Sequence, residues 1–342
     1  MRVGIPKEIK NQEYRVGLTP AGVRELVAHG HEVLVQTRAG YAIGFDDEDY
    51  DEAGARLVPD AATVYADAEL IMKVKEPQPE ECAMLSPGQL LFTYLHLAPD
   101  PEQTSALIAS GATCVAYETV TDALGGLPLL APMSEVAGRL SIQAGAAHLE
   151  KPRGGNGTLL GGVPGVEPGR VVIIGGGVVG TNAAFMAMGM GADVVVLDRS
   201  LHRLQEIDVM FSSRIKTVYS TRDAVERQAM RADLVIGAVL VPGATAPKLL
   251  NREAVSRMKR GAVLVDVAID QGGCFETSEP TTHDEPTYVV DDVVHYCVAN
   301  MPGCVARTST MALTNATLPF ALRLADAGTE ALLQDEHFLD GL

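Results

Sequence analysis

The chain has 342 residues, of which 47% are hydrophobic and 21% charged, and its formal net charge is −17 at pH 7. This length favours two domains over a single core, and the apolar content excludes an intrinsically disordered chain. The acidic charge argues against nucleic acid or an anionic membrane as a partner, and no apolar run reaches the roughly 20 residues of a membrane span.

The cysteines and the N-terminal residues further limit the class of protein to which the chain can belong. The five cysteines are odd in number and form no C-x-x-C pair, so they indicate neither a disulfide framework nor a zinc site, and we expect no metal. The N-terminus, Met1 to Glu8, lacks the apolar segment of a secretory signal peptide. We therefore expect a cytoplasmic protein.

Strands and helices are predicted to alternate through the first third of the chain. Thr19-Pro20 is typical of a helix start, because threonine caps the first turn and proline is accepted at the first helical position, and Gly30 is a good helix end. Such alternation predicts a parallel sheet. Strands are predicted at 2–5, 31–36, 69–74, 89–94 and 113–117, with helices at 20–30 and about 101–109.

A second set of elements follows a predicted long helix at 134–149 and a glycine-rich loop at 154–169. A further helix is predicted at 309–327. The fold class predicted is α/β, with two Rossmann-like domains built on parallel sheets, a cleft between them and long linking helices. The second set of strands begins at Arg170 and continues near 193–197, 216–219, 233–237, 262–266 and 287–290.

The start of the second set carries a nucleotide-binding pattern. A buried strand from Arg170 leads into Gly175-Gly-Gly177-Val-Val-Gly180 and then into a helix, which is the context that the G-x-G-x-x-G motif requires. The glycines permit a tight turn, approach of backbone to a pyrophosphate and close packing of helix on strand. Asp198 at the end of the next strand suits a ribose diol and favours NAD over NADP, although the adjacent Arg199 leaves a small opening for NADP.

Four polar side chains are candidates for chemistry because they follow predicted strands, where ligands bind in open parallel sheets. They are Arg15, Lys75, His96 and Asp270. Each also has an ordinary interpretation: the cations as solvated surface charges, His96 as a structural histidine and Asp270 as a turn cap. The pattern alone leaves both interpretations open.

Long motifs resemble the alanine dehydrogenases, within the wider group that includes the nicotinamide nucleotide transhydrogenase alpha subunit. The similarity extends over essentially the whole chain. The matching stretches are MRVGIPKEIKN at 1–11, YRV at 14–16, KVKEP at 73–77, FTYLHLA at 92–98, LAPMSEVAG at 130–138, GGVPGV at 161–166, DLVIGAVLVPG at 233–243, VDVAIDQGG at 265–273 and YCVANMP at 296–302.

The resemblance implies reversible, NAD-dependent oxidative deamination of L-alanine to pyruvate and ammonia. It implies that Arg15 and Lys75 bind the substrate carboxylate, that His96 is a general acid/base and that Asp270 assists at the ammonium group, water or nicotinamide. It also implies a homo-oligomer, commonly a hexamer. The cofactor contacts implied are Ser134, Gly175, Gly177, Val178, Val179, Gly180, Asp198, Arg203, Ser220, Val239, Leu240, Val267, Ala268, Ile269, Asp270, Val298, Ala299, Asn300 and Met301.

On this basis we expect residues 1–130 with 307–342 to form the substrate domain and residues 131–306 the NAD-binding domain. The main alternative is an NAD(H)-binding subunit of the transhydrogenase alpha type, which needs no amino-acid site. A catalytically silent NAD-binding protein is a second alternative, and a dehydrogenase of the saccharopine or opine type is a third.

Overall fold

The computed structural model describes residues 1–239 and 246–342. The chain divides into two compact units. Unit 1 consists of Met1–Met133 and Val305–Leu342, and unit 2 consists of Ser134–Cys304. Among the described residues, no helix combines the length and the apolar character needed to cross a bilayer.

Unit 1 is built on a parallel sheet of six strands. Its order is β3-β2-β1-β4-β5-β6, and every neighbouring pair is parallel. The central strands are short apolar runs that are buried on both faces, as parallel sheets covered by helices require. The strands are β1 (Arg2–Ile5), β2 (Glu32–Gln36), β3 (Arg56–Val58), β4 (Leu70–Met72), β5 (Leu90–Thr93) and β6 (Thr113–Ala116).

Several helices of unit 1, among them the one at Pro101–Ser110, begin at residues whose side chains cap them. Asp100 accepts a hydrogen bond from the Gln103 backbone N–H, Pro101 takes the first helical position, and Gly111 ends the helix in the left-handed conformation. The helices are α1 (Pro20–Ala28), α2 (Asp47–Glu52), α3 (Ala61–Asp67), α4 (Pro79–Cys82), α5 (Pro101–Ser110), α11 (Ala306–Ala327), α12 (Glu330–Leu333) and α13 (Glu336–Leu339).

Unit 2 is built on seven strands in the order β12-β13-β11-β10-β7-β8-β9. On one face of this sheet, apolar side chains form a core cluster with the helices at 222–229 and 252–256. The strands are β7 (Arg170–Ile174), β8 (Asp193–Asp198), β9 (Lys216–Tyr219), β10 (Leu234–Gly237), β11 (Val263–Asp266), β12 (Thr287–Val290) and β13 (Val293–Tyr296). The helices are α6 (Ala131–His148), whose first turn includes the boundary between the units, α7 (Val178–Gly189), α8 (Leu201–Met210), α9 (Arg222–Ala229) and α10 (Arg252–Ser256).

The second sheet is not parallel throughout, contrary to the sequence-based expectation. β12 pairs antiparallel with β13 through a tight turn at Asp291 and Asp292, which have positive φ values of 49° and 62°. Two consecutive positive φ values are typical of a two-residue hairpin turn, which asparagine and glycine usually mark. Because aspartates occupy these positions, the sequence lacks a strong hairpin signal, and β13 was not predicted.

The elements whose bounds were predicted agree with the structure to within a few residues at their ends, whereas the short helices α2, α3, α4, α12 and α13 were not predicted. The strands predicted at 2–5, 216–219 and 287–290 have the bounds of β1, β9 and β12. The long helix predicted at 134–149 begins earlier, at Ala131. The edge strand β3 was also missed, since it has only three residues and one of them is an exposed arginine.

Candidate active site and nucleotide site

The two sheets share one strand order that creates a switch point in each. If the parallel strands of each unit are numbered in chain order, they lie in the sheet in the order 3-2-1-4-5-6. The chain therefore continues to one side of the sheet from the first strand and to the other side from the fourth. The switch point lies between these two strands, which are β1 and β4 in unit 1 and β7 and β10 in unit 2. Ligands of open α/β sheets bind beyond the carboxyl ends of the strands at such a point. In unit 1, Arg15, Lys75 and His96 follow β1, β4 and β5. These three side chains thus belong to the binding edge of their sheet.

The glycine loop of unit 2 has the geometry of a phosphate cradle. Gly175 has a φ of +105°, which side chains rarely allow, and a Cβ on Gly180 would collide with the Gly175 carbonyl oxygen. A Cβ on Gly177 would meet nothing within 4 Å, so the space in front of the loop is open. α7 begins directly after Gly177, and no side chain caps it. Its first backbone N–H groups are thus presented to that space, and the loop fits a pyrophosphate.

Asp198 lies beside this loop with both carboxylate oxygens oriented by backbone groups. Oδ2 accepts from the Gly176 N–H at 2.7 Å, and Oδ1 accepts from the Ser200 N–H at 2.8 Å. A carboxylate oxygen has two lone pairs, so each oxygen can also accept from a ribose hydroxyl. The structure thus brings Asp198 to the place where the motif requires an acid.

Arg203 braces the loop. Its Nε donates to the Gly176 carbonyl oxygen at 2.6 Å, and its Nη2 donates to Thr181 Oγ1 at 2.7 Å, while Nη1 pairs with Glu206. Ser220 lines a cavity of about 330 Å³ beyond the ends of β8 and β9, a place suited to the adenosine end of a dinucleotide. The other residues that line it are Arg199, Thr221, Arg222, Val225, Glu226, Lys248, Leu249 and Asn251.

The remaining cofactor candidates follow neighbouring strands of the same sheet. Val239 follows β10, and its side chain would lie 3.1 Å from a Cβ on Gly175. Val267, Ala268, Ile269 and Asp270 follow β11, while Val298, Ala299, Asn300 and Met301 follow β13. Asp270 is exposed on a short 3₁₀ helix, Ile269–Gln271. Leu240 lies outside the described residues.

Ser134 and the loop that carries Asp270 are held by contacts that the sequence did not reveal. Ser134 lies one turn before Gly138, where a Cβ would collide with the Val179 carbonyl oxygen, so glycine lets α6 pack closely on α7. Asp266 is fully buried and accepts from the backbone N–H groups of Ala268 and Cys274. This carboxylate holds together the loop after β11.

Arg15 is not a solvated surface charge. Its side chain is 2% exposed, and Glu13 accepts from its Nε at 2.7 Å and from its Nη2 at 2.6 Å. Burial lowers the pKa of Arg15, but the two-pronged pairing with Glu13 outweighs it, and the net direction is upward. A fork held in this way is preoriented for a carboxylate ligand.

Lys75 follows β4 and lies two residues after Lys73, which belongs to a buried network of charges. Lys73 is fully buried and donates to Glu8 at 3.1 Å and to Glu81 at 2.7 Å. Glu8 also accepts from the Val74 N–H at 2.7 Å, and the Lys75 carbonyl oxygen accepts from Thr93 Oγ1 at 3.0 Å. The backbone on both sides of Val74 is therefore fixed, which places the half-buried Lys75 at the binding edge.

His96 lies after β5 in a conformation that is uncommon for a residue with a side chain. Its φ is +48°, and its backbone N–H donates to Glu118 Oε1 at 2.6 Å. Its imidazole is 41% exposed, and Nδ1 lies 3.2 Å from Glu76 Oε2. Burial raises the pKa of Glu76, but His96, Lys75 and Lys10 outweigh it and hold that pKa well below its usual range. Strained backbone is frequent at functional sites.

Sequence reasoning missed the carboxylates that hold the candidate side chains. Glu13 precedes Arg15 by two residues, and Glu76 directly follows Lys75, so proximity in sequence was the available signal. Glu8 and Glu118 are distant in sequence from the residues they hold, and only the fold brings them there. A glycine loop in one unit and a polar binding edge in the other define the class: a dinucleotide-dependent oxidoreductase.

Comparisons with known proteins give the family. A model of the N-terminal domain of the alanine dehydrogenase/PNT family matches residues 4–137, and a model of its C-terminal domain matches residues 141–342. An alanine dehydrogenase of Halomonas elongata is 66% identical over 100% of this chain and 92% of that protein. One of Mycobacterium tuberculosis is 59% identical over 97% of this chain and 89% of its own length. The chain belongs to the alanine dehydrogenase/PNT family.

Similar solved structures support the same family assignment. An L-alanine dehydrogenase matches with a TM-score of 0.97 and 54% identity, covering 100% of this chain and 94% of the other. A transhydrogenase from Sinorhizobium meliloti matches with a TM-score of 0.85 and 25% identity, covering 97% of this chain and 95% of the other. The predicted α/β fold with two sheet domains is thus confirmed.

Proposed function

We propose that this chain catalyses the reversible oxidative deamination of L-alanine to pyruvate and ammonia with NAD. Full-length identity to alanine dehydrogenases supports the activity and the cofactor. The observation in the structure that carries the proposal is the buried fork of Arg15 at the switch point of unit 1. A subunit that only exchanges hydride between nucleotides needs no such carboxylate site.

The substrate carboxylate is bound by Arg15 and Lys75. Arginine supplies a planar fork, whose orientation Glu13 fixes, and lysine adds a compact positive charge. Glu13 pairs with Arg15, and Lys75 adds a second positive charge at the binding edge. Unit 1 thereby binds alanine or pyruvate.

Unit 2 would hold NAD, whose nicotinamide ring would accept the hydride that leaves the substrate Cα. The glycine loop of Gly175, Gly177 and Gly180 holds the pyrophosphate, and Asp198 accepts from the adenosine ribose. Arg203 stabilises the loop through its bonds to Gly176 and Thr181. The other contacts proposed are Ser134, Val178, Val179, Ser220, Val239, Leu240, Val267, Ala268, Ile269, Asp270, Val298, Ala299, Asn300 and Met301.

His96 exchanges the protons of hydrolysis. When water adds to the substrate iminium carbon, His96 accepts a water proton as the C–O bond forms. The imidazolium then gives this proton to the amine nitrogen, the C–N bond breaks with loss of ammonia, and the neutral His96 accepts the hydroxyl proton as the pyruvate carbonyl forms. Imidazole suits this role because it titrates near neutral pH. Asp270 stabilises the ammonium group or orients the water.

The assembly we propose is a homo-oligomer, with a hexamer as its form, and the proposed compartment is the cytoplasm. The support is the resemblance to the family. Light scattering coupled to size-exclusion chromatography measures the mass of the particle, and a monomer would contradict the proposed assembly.

The function is tested by NADH formation at 340 nm with L-alanine and NAD, beside His96→Ala and Asp270→Asn. We expect turnover by the natural chain and a fall of about 10²–10⁴-fold for His96→Ala, the range of general acid–base catalysis. The matched controls are His29→Ala, at the end of α1, and Asp208→Asn, toward the end of α8, which should keep the natural rate. NADH binding without any alanine-dependent turnover would overturn the proposal and favour the transhydrogenase-type alternative.

A further inference from the structure

Two charged side chains of unit 1, Lys10 and Glu76, form a continuous chain of contacts that ends at the imidazole of His96. Lys10 Nζ contacts Glu76 Oε1, and the other oxygen of the same carboxylate, Oε2, lies 3.2 Å from His96 Nδ1. The Glu76 side chain is 11% exposed, whereas those of Lys10 and His96 are 39% and 41% exposed. The carboxylate is therefore largely withdrawn from water between two partners that solvent reaches.

This contact fixes which nitrogen of His96 carries the proton. An ionised carboxylate can only accept hydrogen bonds, so Nδ1 must be the donor in the pair. The neutral imidazole then has its lone pair on Nε2, and Nε2 becomes the nitrogen that exchanges protons. A carboxylate in this position orients the ring and favours the imidazolium that forms when Nε2 accepts a proton.

We propose that Glu76 is a positioning residue for proton transfer by His96, with Lys10 as the partner that limits its effect. The proposal rests on the function proposed above, because it concerns the same His96. Glu76 fixes the tautomer and the ring orientation. Lys10 shares the carboxylate and thereby weakens the attraction between Glu76 and the imidazolium.

The backbone of His96 is held independently of its ring. Glu118 accepts from the N–H groups of Leu95 and His96, which maintains the left-handed backbone conformation. The Tyr94 ring stacks on the imidazole with centroids 5.8 Å apart. Glu76 is thus needed for the tautomer and the charge of the ring, while Glu118 and Tyr94 place it. Loss of Glu76 should change proton transfer without displacing the loop.

An ordinary surface ion pair between Lys10 and Glu76 is the alternative explanation. It predicts no effect of either residue on His96. The charged and titratable groups that face this site are Lys10, Lys75, Glu76, Glu118 and Tyr94. Because Lys10 and Glu76 have opposite charges, their removal should move the pH profile of kcat/KM in opposite directions, which a structural ion pair would not do.

The test compares Glu76→Gln and Lys10→Met with the control Glu80→Gln, an exposed carboxylate in the first turn of α4. The first readout is the pH profile of kcat/KM for L-alanine. In Glu76→Gln we expect kcat/KM to fall about 10–100-fold and the limb that reports imidazole protonation to move roughly one pH unit toward acid. In Lys10→Met the same limb should move toward alkaline pH.

The second readout needs no turnover. Long-range ¹H–¹⁵N spectra of histidine-labelled holoenzyme report the tautomer of each ring, and a His96→Gln variant assigns the His96 signals. We expect a single Nδ1–H tautomer in the natural chain and a mixture in Glu76→Gln. An Nε2–H tautomer in the natural chain, or a Glu76→Gln profile equal to that of Glu80→Gln, would overturn the inference. Absent turnover with the Nδ1–H tautomer present would instead refute only the proposed function.

Discussion

The two units share one strand order, and they differ in the connection after the first strand of each. In unit 2, β7 passes through Gly175–Gly177 directly into α7. In unit 1, residues 6–19 separate β1 from α1, and this longer loop supplies Glu8, Lys10, Glu13 and Arg15. A short glycine turn presents backbone to a phosphate, whereas a longer loop presents side chains to a carboxylate.

The helix starts show the same contrast. The Thr19 side chain accepts from the Gly22 N–H at 3.3 Å, and Pro20 has no N–H at the first helical position. The start of α1 is thus satisfied by its own sequence. The start of α7 has Gly177 and no side-chain cap, so its N–H groups need an external acceptor. The strand order is shared, and under the proposed function the missing side-chain cap is what makes α7, not α1, available to an anion.

The units also differ in the burial of their ion pairs. Lys73 and its partners Glu8 and Glu81 are buried in unit 1, whereas the Lys216–Asp193 pair of unit 2 is exposed. Burial lowers the pKa of Lys73, but the two carboxylates outweigh it, and the net direction is upward. Lys73 is therefore charged, and its network stabilises the segment that carries Lys75.

The largest effect is expected when this buried network loses its cation. Lys73→Met leaves two buried carboxylates without compensation, and removal of one partner from a buried pair costs about 3–5 kcal/mol. The urea midpoint of unfolding measures the loss. Lys216→Met is the control, and an exposed pair contributes only about 0–1 kcal/mol. Equal losses in the two variants would contradict the contrast between the units.

A second check of that prediction removes the stranded charges. Adding Glu8→Gln and Glu81→Gln to Lys73→Met should restore part of the stability, because neutral amides cost less to bury than carboxylates. A triple variant that is less stable than Lys73→Met alone would show that the carboxylates contribute through other contacts.

The next effect concerns the glycine loop. Gly180→Val places side-chain atoms against the Gly175 carbonyl oxygen, and overpacking of this kind costs about 1–3 kcal/mol. Because the strain falls on the phosphate cradle, NADH affinity should drop roughly 10–100-fold. Fluorescence titration with NADH measures it. The matched control on the same helix is Gly189→Ala, where a Cβ meets nothing within 4 Å and affinity should persist.

Unchanged NADH affinity in Gly180→Val would show that α7 can move away from β7 without harm to the cradle. A loss in Gly189→Ala as large as that in Gly180→Val would show that any added side chain on α7 weakens binding. Either result would contradict the explanation that glycine is needed at position 180 for close packing of α7 on β7.

The contrast between the units explains which parts of the molecule the sequence could predict. The nucleotide loop was predictable because its residues are contiguous and follow a buried strand, so Gly175, Gly177 and Gly180 have one structural context. Arg15 and His96 could be placed at the sheet edge, but their partners could not. The hydrogen bond that the His96 N–H donates to Glu118 depends on the pairing of β5 with β6, which no local sequence pattern encodes.

The smallest effect is expected from exchanging the caps at the starts of α1 and α7. This exchange is also the most direct test of the comparison between the two units. Gly177→Ser gives α7 a side-chain cap like that of α1, at a position with room for it. The new hydroxyl accepts from the N–H groups that a phosphate would use, so helix stability should rise by a few tenths of a kcal/mol while NADH affinity falls by about tenfold.

The reciprocal variant, Thr19→Gly, removes the cap of α1 in unit 1. We expect stability to fall by a few tenths of a kcal/mol and NADH affinity to remain unchanged, because α1 has no phosphate to bind. Thermal unfolding and NADH titration measure both quantities in both variants. If Gly177→Ser kept full NADH affinity, the free N–H groups of α7 would not be the feature that distinguishes the nucleotide unit, and the reason would have to lie in Asp198 and Arg203 instead.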